Sequence, residues 1–131
     1  MYHIACAAFF FSGLVLNFLD RRMLALTVMV GVSVFIAVPS DTAEQFYAFC
    51  IAAETLVALL AWGLRSEAGA LVATLCVLLI VAHCMGYAVD GSTPLSPYRV
   101  IVKILEFSQL LVCVALSPVL APILRNQDAS Q

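Results

Sequence analysis

The chain has 131 residues, 64% of them hydrophobic and only 11% charged, with a mean hydropathy of +1.09. A water-soluble domain of this size needs far more charge to cover its surface, so the composition points to a protein solvated by lipid. The net charge of −2 leaves no basic patch of the kind nucleic acid requires.

A membrane span takes roughly twenty apolar residues. Five segments approach that length, so the sequence predicts an all-α, polytopic transmembrane bundle. The spans fall at about 2–19, 22–38, 43–64, 68–89 and 97–124, in a single domain (1–124) followed by a polar tail, 125–131. The first enters an apolar run at once after Met1-Tyr2-His3. It lacks the basic start and cleavage site of a secretory signal, and reads as a retained span. Only Asp20-Arg21-Arg22 separates it from the second, which predicts a tight antiparallel hairpin of two short helices, the second stopped by Pro39.

The third helix opens on the capping pattern Asp41-Thr42-Ala43-Glu44, whose carboxylates can satisfy free backbone N–H groups. The fourth follows Arg65-Ser66-Glu67 and is predicted to stop at Asp90-Gly91, where glycine can take the left-handed cap conformation. Ser96-Pro97 opens the fifth, with proline at the first helical position. Pro118 and Pro122 remove backbone donors near its end, so a kink or an unravelled end is expected there, and a frayed tail beyond.

Basic residues set the orientation. With the N-terminus outside, Arg21, Arg22, Arg65 and Arg125 lie inside and Arg99 and Lys103 outside, the direction favoured by the positive-inside rule. Tyr2, Tyr47, Tyr87 and Tyr98 then fall at the outer interface and Trp62 at the inner one. The pattern predicts a multi-pass protein, N-out and C-in, consistent with a bacterial inner membrane. The alternative keeps four spans and lays the first half of the fifth helix along the interface.

Ionisable groups inside a span are costly and mark candidate sites. Glu54, His83, Lys103 and Glu106 fall at similar depths in the outer half of the bilayer. On the fifth helix, Arg99, Lys103, Glu106, Gln109, Cys113 and Ser117 recur every three or four residues and form one polar stripe. Lys103 and Glu106 are spaced to pair along it. Small residues accompany these faces: Gly69, Ala73, Cys76 and Gly86 on the fourth helix, Ala58 and Ala61 on the third. The small-xxx-small pairs Gly69/Ala73, Ala82/Gly86 and Ser117/Ala121 predict close helix packing.

The structural reading of this cluster is a set of mutually satisfied polar groups that fix helix register. The functional readings are a polar pore lining or oligomer interface, a proton relay through Glu54 and His83, and a metal or haem site among His3, Cys6, Cys50, His83 and Cys84. The last lacks diagnostic ligand spacing, and all five cysteines fit packing roles, so no metal or cofactor is expected. No phosphate loop, nucleophile elbow or zinc-protease pair is present, so no catalytic residues are expected.

The functional expectation is a small, non-enzymatic membrane protein that meets lipid and either copies of itself or other membrane subunits through the stripe. Its size and polar helix face are those of a holin-like permeabilising protein, although the strongly basic tail of that type is missing. An accessory subunit of a larger complex and a compact proton-coupled transporter or channel using Glu54 and His83 are the alternatives.

Overall fold

The computed structural model describes residues 1–36, 41–89 and 97–130. Among them the chain is wholly helical: α1 (Tyr2–Leu16), α2 (Arg21–Phe35), α3 (Ala43–Gly63), α4 (Glu67–Ala88), α5 (Pro97–Ala115) and α6 (Leu120–Ala129). Two helices, α3 and α4, are long and apolar enough to cross a membrane. A third span is added if α5 and α6, bent by 83° at their junction, count as one. The first two helices stop short of the expected spans, because Asn17 ends α1 in a turn and α2 begins on its own cap at Asp20.

The helix starts follow local hydrogen bonding. Asp20 accepts from the backbone N–H groups of Arg22 and Met23 at 3.0 and 3.3 Å. Ser66 accepts from Gly69 at 3.0 Å, which starts α4 one residue earlier than its apolar run. The cap of α3 is also shifted by one residue from the expected pattern. Thr42 Oγ1 accepts from the Gln45 N–H at 3.2 Å, and the Gln45 side chain accepts from the Asp41 N–H at 3.2 Å. A hydroxyl and an amide thus do the work expected of two carboxylates, because Thr42 holds the extended backbone of the cap position. Pro97 is the first residue of α5, as its missing N–H favours. The stops expected at Pro39 and at Asp90-Gly91, and the cap expected at Ser96, lie outside the described residues.

Beyond Ala115 the outcome differs from a long fifth helix with a frayed tail. The helix breaks across Leu116–Val119, where Pro118 cannot donate, and a separate helix resumes at Leu120 and includes residues 125–129. Ser117 Oγ accepts the Leu120 N–H at 3.1 Å, a local contact at the start of α6, and the exposed Arg125 of α6 reaches Glu67 of α4 at 3.4 Å.

α3 and α4 form the most closely packed pair, joined by a turn in which Arg65 takes φ 49°. α5 sits at the centre, touching α1, α2 and α4, and α2 closes the ring against α3. The buried face of α4 runs Ala68, Gly69, Val72, Ala73, Cys76, Leu79, His83 and Gly86, a helical repeat of mostly small side chains. Such residues let backbones approach where lipid supplies no hydrophobic drive between helices. The opposite faces carry Leu59, Leu60, Trp62, Leu78 and Met85 outward. Asn17, Thr27, Glu54, His83, Gln109 and Ser117 lie buried beside an apolar core that includes Leu26, Val30, Leu79 and Leu110.

Candidate functional site

The polar residues singled out in the sequence meet different partners at three adjoining places in the fold. At the centre, Gln109 is fully buried on α5 and its Nε2 donates to Glu54 Oε2 of α3 at 3.4 Å and to Cys76 Sγ of α4 at 3.2 Å. One amide thereby links three helices. Its own Oε1 is buried with no hydrogen-bond partner among the described residues. His83, also buried, lies instead with the tyrosines: its Nδ1 is 2.8 Å from Tyr98 Oη, and the Tyr47 ring stands edge-on at 6.5 Å between centroids. Tyr47 also packs on Tyr87 and Tyr98, and Tyr87 Oη donates to Glu44 at 3.3 Å. Among the described residues no hydrogen bond joins Glu54 to His83.

The third place is the open end of the stripe. Lys103 and Glu106 do not form the expected ion pair; among the described residues the one ion pair is Arg125–Glu67. The competitor is Tyr2, brought by α1. Its hydroxyl donates to Glu106 Oε2 at 2.6 Å, while Lys103 Nζ lies 5.2 Å from the centre of its ring. A phenol already aimed at the carboxylate leaves the exposed lysine to the ring face. Replacing Tyr2 with Phe keeps that ring but strands the half-buried carboxyl group, so it is expected to lower stability by about 1–2 kcal/mol. Lys103→Met should cost less than about 1 kcal/mol, the scale of an exposed cation–π contact. SDS titration of both variants in a mild detergent ranks them; a larger loss for Lys103→Met would restore the ion pair.

Around Tyr2 the N-terminal ends of α1, α3 and α5 converge on a cleft of about 740 Å³, with Tyr47, Tyr98, Arg99, Lys103 and Glu106 in its wall. The stripe therefore changes character along α5. Arg99 and Lys103 are exposed, Glu106 is half-buried, and Gln109, Cys113 and Ser117 are buried.

Of the packing residues, Gly69, Ala73, Gly86 and Ser117 are buried and Ala82 and Ala121 half-buried. A Cβ on Gly69 would meet the Ala61 carbonyl oxygen, and one on Gly86 would lie 2.7 Å from the Tyr98 ring, so both positions are used within the chain. Among the described residues no group of three or more His, Cys, Asp or Glu side chains is placed to hold a metal ion.

Sequence reasoning missed Asn17, fully buried beyond α1. Its Nδ2 donates to Thr27 Oγ1 at 3.0 Å and to the Cys113 carbonyl at 2.9 Å, fastening α1, α2 and α5 at the end opposite the cleft. The available signal was an asparagine within an apolar run. Comparison with protein-family models, curated proteins and solved structures returns no match to this chain.

Proposed function

We propose that this chain is a small, non-enzymatic, multi-pass membrane protein that acts by packing into a membrane assembly with copies of itself or with other subunits. The observation that carries the reading is the outward face: large apolar side chains are exposed on every helix, while Asn17 and Gln109 lie buried and tie helix to helix. Interior groups spent on each other leave the surface as the means of action.

On this reading α1 to α5 each cross the bilayer, N-terminus outside and C-terminus inside, as in a bacterial inner membrane. At 15 residues each, α1 and α2 reach about 22 Å, which calls for a thin local bilayer. The 83° bend then lays α6 along the inner interface, with Ile123 and Leu124 exposed to lipid and Arg125 at the headgroups. A holin-like lumen lined by the whole stripe would require α5 to part from its neighbours, because Gln109, Cys113 and Ser117 are buried among them. Association of intact bundles needs no such opening and is the favoured form.

Alkaline carbonate extraction followed by mass determination in mild detergent tests this. The chain should stay with the membrane and run as a protein complex heavier than one 14.1-kDa copy. Release by carbonate, or a lone 14.1-kDa species with nothing co-purifying, overturns it.

A further inference from the structure

The side-chain amide of Asn17 can face only one way. Its Nδ2 gives both protons, one to Thr27 Oγ1 at 3.0 Å and one to the Cys113 carbonyl at 2.9 Å. Neither partner can donate in return. A carbonyl has no proton, and the Thr27 hydroxyl already gives its own to the Met23 carbonyl at 2.8 Å. Turning the amide end for end would therefore set Oδ1 against two acceptors. Oδ1 is fixed on the other side, fully buried and without a hydrogen-bond donor among the described residues. A buried carbonyl oxygen left in that condition is costly, and nearly all such groups in folded proteins are satisfied by protein or by water. The Oε1 of Gln109 differs: the Cys76 thiol beside that amide can donate as well as accept, so the amide is free to turn.

Ser117 supplies the complement. It is fully buried one turn beyond Cys113, whose carbonyl Asn17 holds. Its N–H bonds the Val114 carbonyl rather than that of Cys113. Its Oγ accepts from Leu120 at 3.1 Å, and its hydroxyl proton has no acceptor among the described residues. The break at Pro118 adds a third group. Leu120 would close a continuous helix on the Leu116 carbonyl, but gives its N–H to Ser117 instead and leaves that carbonyl open. Two acceptors and one donor, none of them charged, are the complement of a water molecule.

We propose that a single buried water molecule bridges Asn17 Oδ1 and Ser117 Oγ. It donates one proton to Asn17 and accepts the Ser117 hydroxyl proton. Its second proton goes to the Leu116 carbonyl, which brings it to about three hydrogen bonds, the usual number for an internal water. The bridge ties the end of α1 to the break between α5 and α6. It belongs to the single bundle and does not depend on the assembly proposed above.

A crystal structure of the full chain, at a resolution that places ordered waters, tests this. Density for one water should lie about 2.5–3.0 Å from both Asn17 Oδ1 and Ser117 Oγ, the range of an O–H···O bond. Ser117→Ala removes one partner and should lose that density, while Asn17 keeps its bonds to Thr27 and Cys113. Thr74→Ala, which removes a hydroxyl bonded only within its own helix, should keep it. The proposal is overturned by a bare Asn17 oxygen, or by a protein donor such as the Cys113 thiol seated on it. A water that touches Asn17 without Ser117, or density that survives Ser117→Ala, overturns the bridge equally. Should Ser117→Ala fail to fold, the density beside Asn17 in the unaltered chain decides alone.

Discussion

Gly69→Val should lower the stability of the bundle by about 3 kcal/mol, at the upper end of what overpacking costs in a close-packed interior. The reason lies in what the new side chain would strike. A Cβ at Gly69 collides with the carbonyl oxygen of Ala61, a backbone atom in the last turn of α3, and comes within 3.0 Å of the Ser66 hydroxyl that caps α4. Neither neighbour can swing aside as a long side chain would. The connection between the helices is too short for α4 to slide, since α3 ends at Gly63 and α4 begins at Glu67. Relief requires the two helices to spread, and that exposes the most closely packed seam of the fold. Even Gly69→Ala should cost a substantial part of this amount.

Gly63 provides the contrast on the same hairpin. Nothing lies within 4 Å of a Cβ built there, so Gly63→Ala should be neutral or stabilising by up to about 1 kcal/mol through helix propensity. Thermal unfolding or SDS titration in detergent reads both variants. Equal behaviour of Gly63→Ala and Gly69→Ala would mean that the α3–α4 contact is not as close as described.

The contrast also marks what a linear sequence reveals. Apolar runs announce the starts of the first five helices to within one residue, because that signal is local. Gly69 on the small-residue face was likewise visible in the repeat. What escaped was anything decided by a helix distant in sequence. Lys103 and Glu106 have the right spacing to pair, yet Tyr2 lies 104 residues from Glu106 in sequence and takes the carboxylate. Glu54 and His83 are expected at similar depths but meet different partners, since depth along a helix says nothing of direction around it. Asn17 was passed over within an apolar run, and its value as a tie between three helices exists only once Cys113 and Thr27 are beside it. The separate helix α6 was hidden for another reason. Pro118 predicts a break, but the helix that resumes beyond it meets Glu67, 58 residues from Arg125 in sequence.

The central amide tie gives the second large effect. Gln109→Leu should lower stability by about 1–3 kcal/mol, the cost of leaving a buried polar group without its partner, here the Glu54 carboxyl group. Leucine keeps most of the volume, so little of the loss comes from a cavity. Combining it with Glu54→Leu should recover much of the loss, because both ends of the contact then become apolar together. The full cycle of four proteins, unfolded by SDS in one detergent, isolates the coupling between the two positions. An ordinary interhelical hydrogen bond in a membrane protein couples by about 0.6 kcal/mol. The Gln109–Glu54 pair should exceed that, at about 1 kcal/mol or more, because the same amide also holds Cys76 and neither residue has appreciable access to solvent. Additive losses would show that the contact contributes no register to the bundle. In that case Glu54 would be a buried acid held in place by something other than structure, and the proton-relay reading of the sequence would regain its claim on that residue.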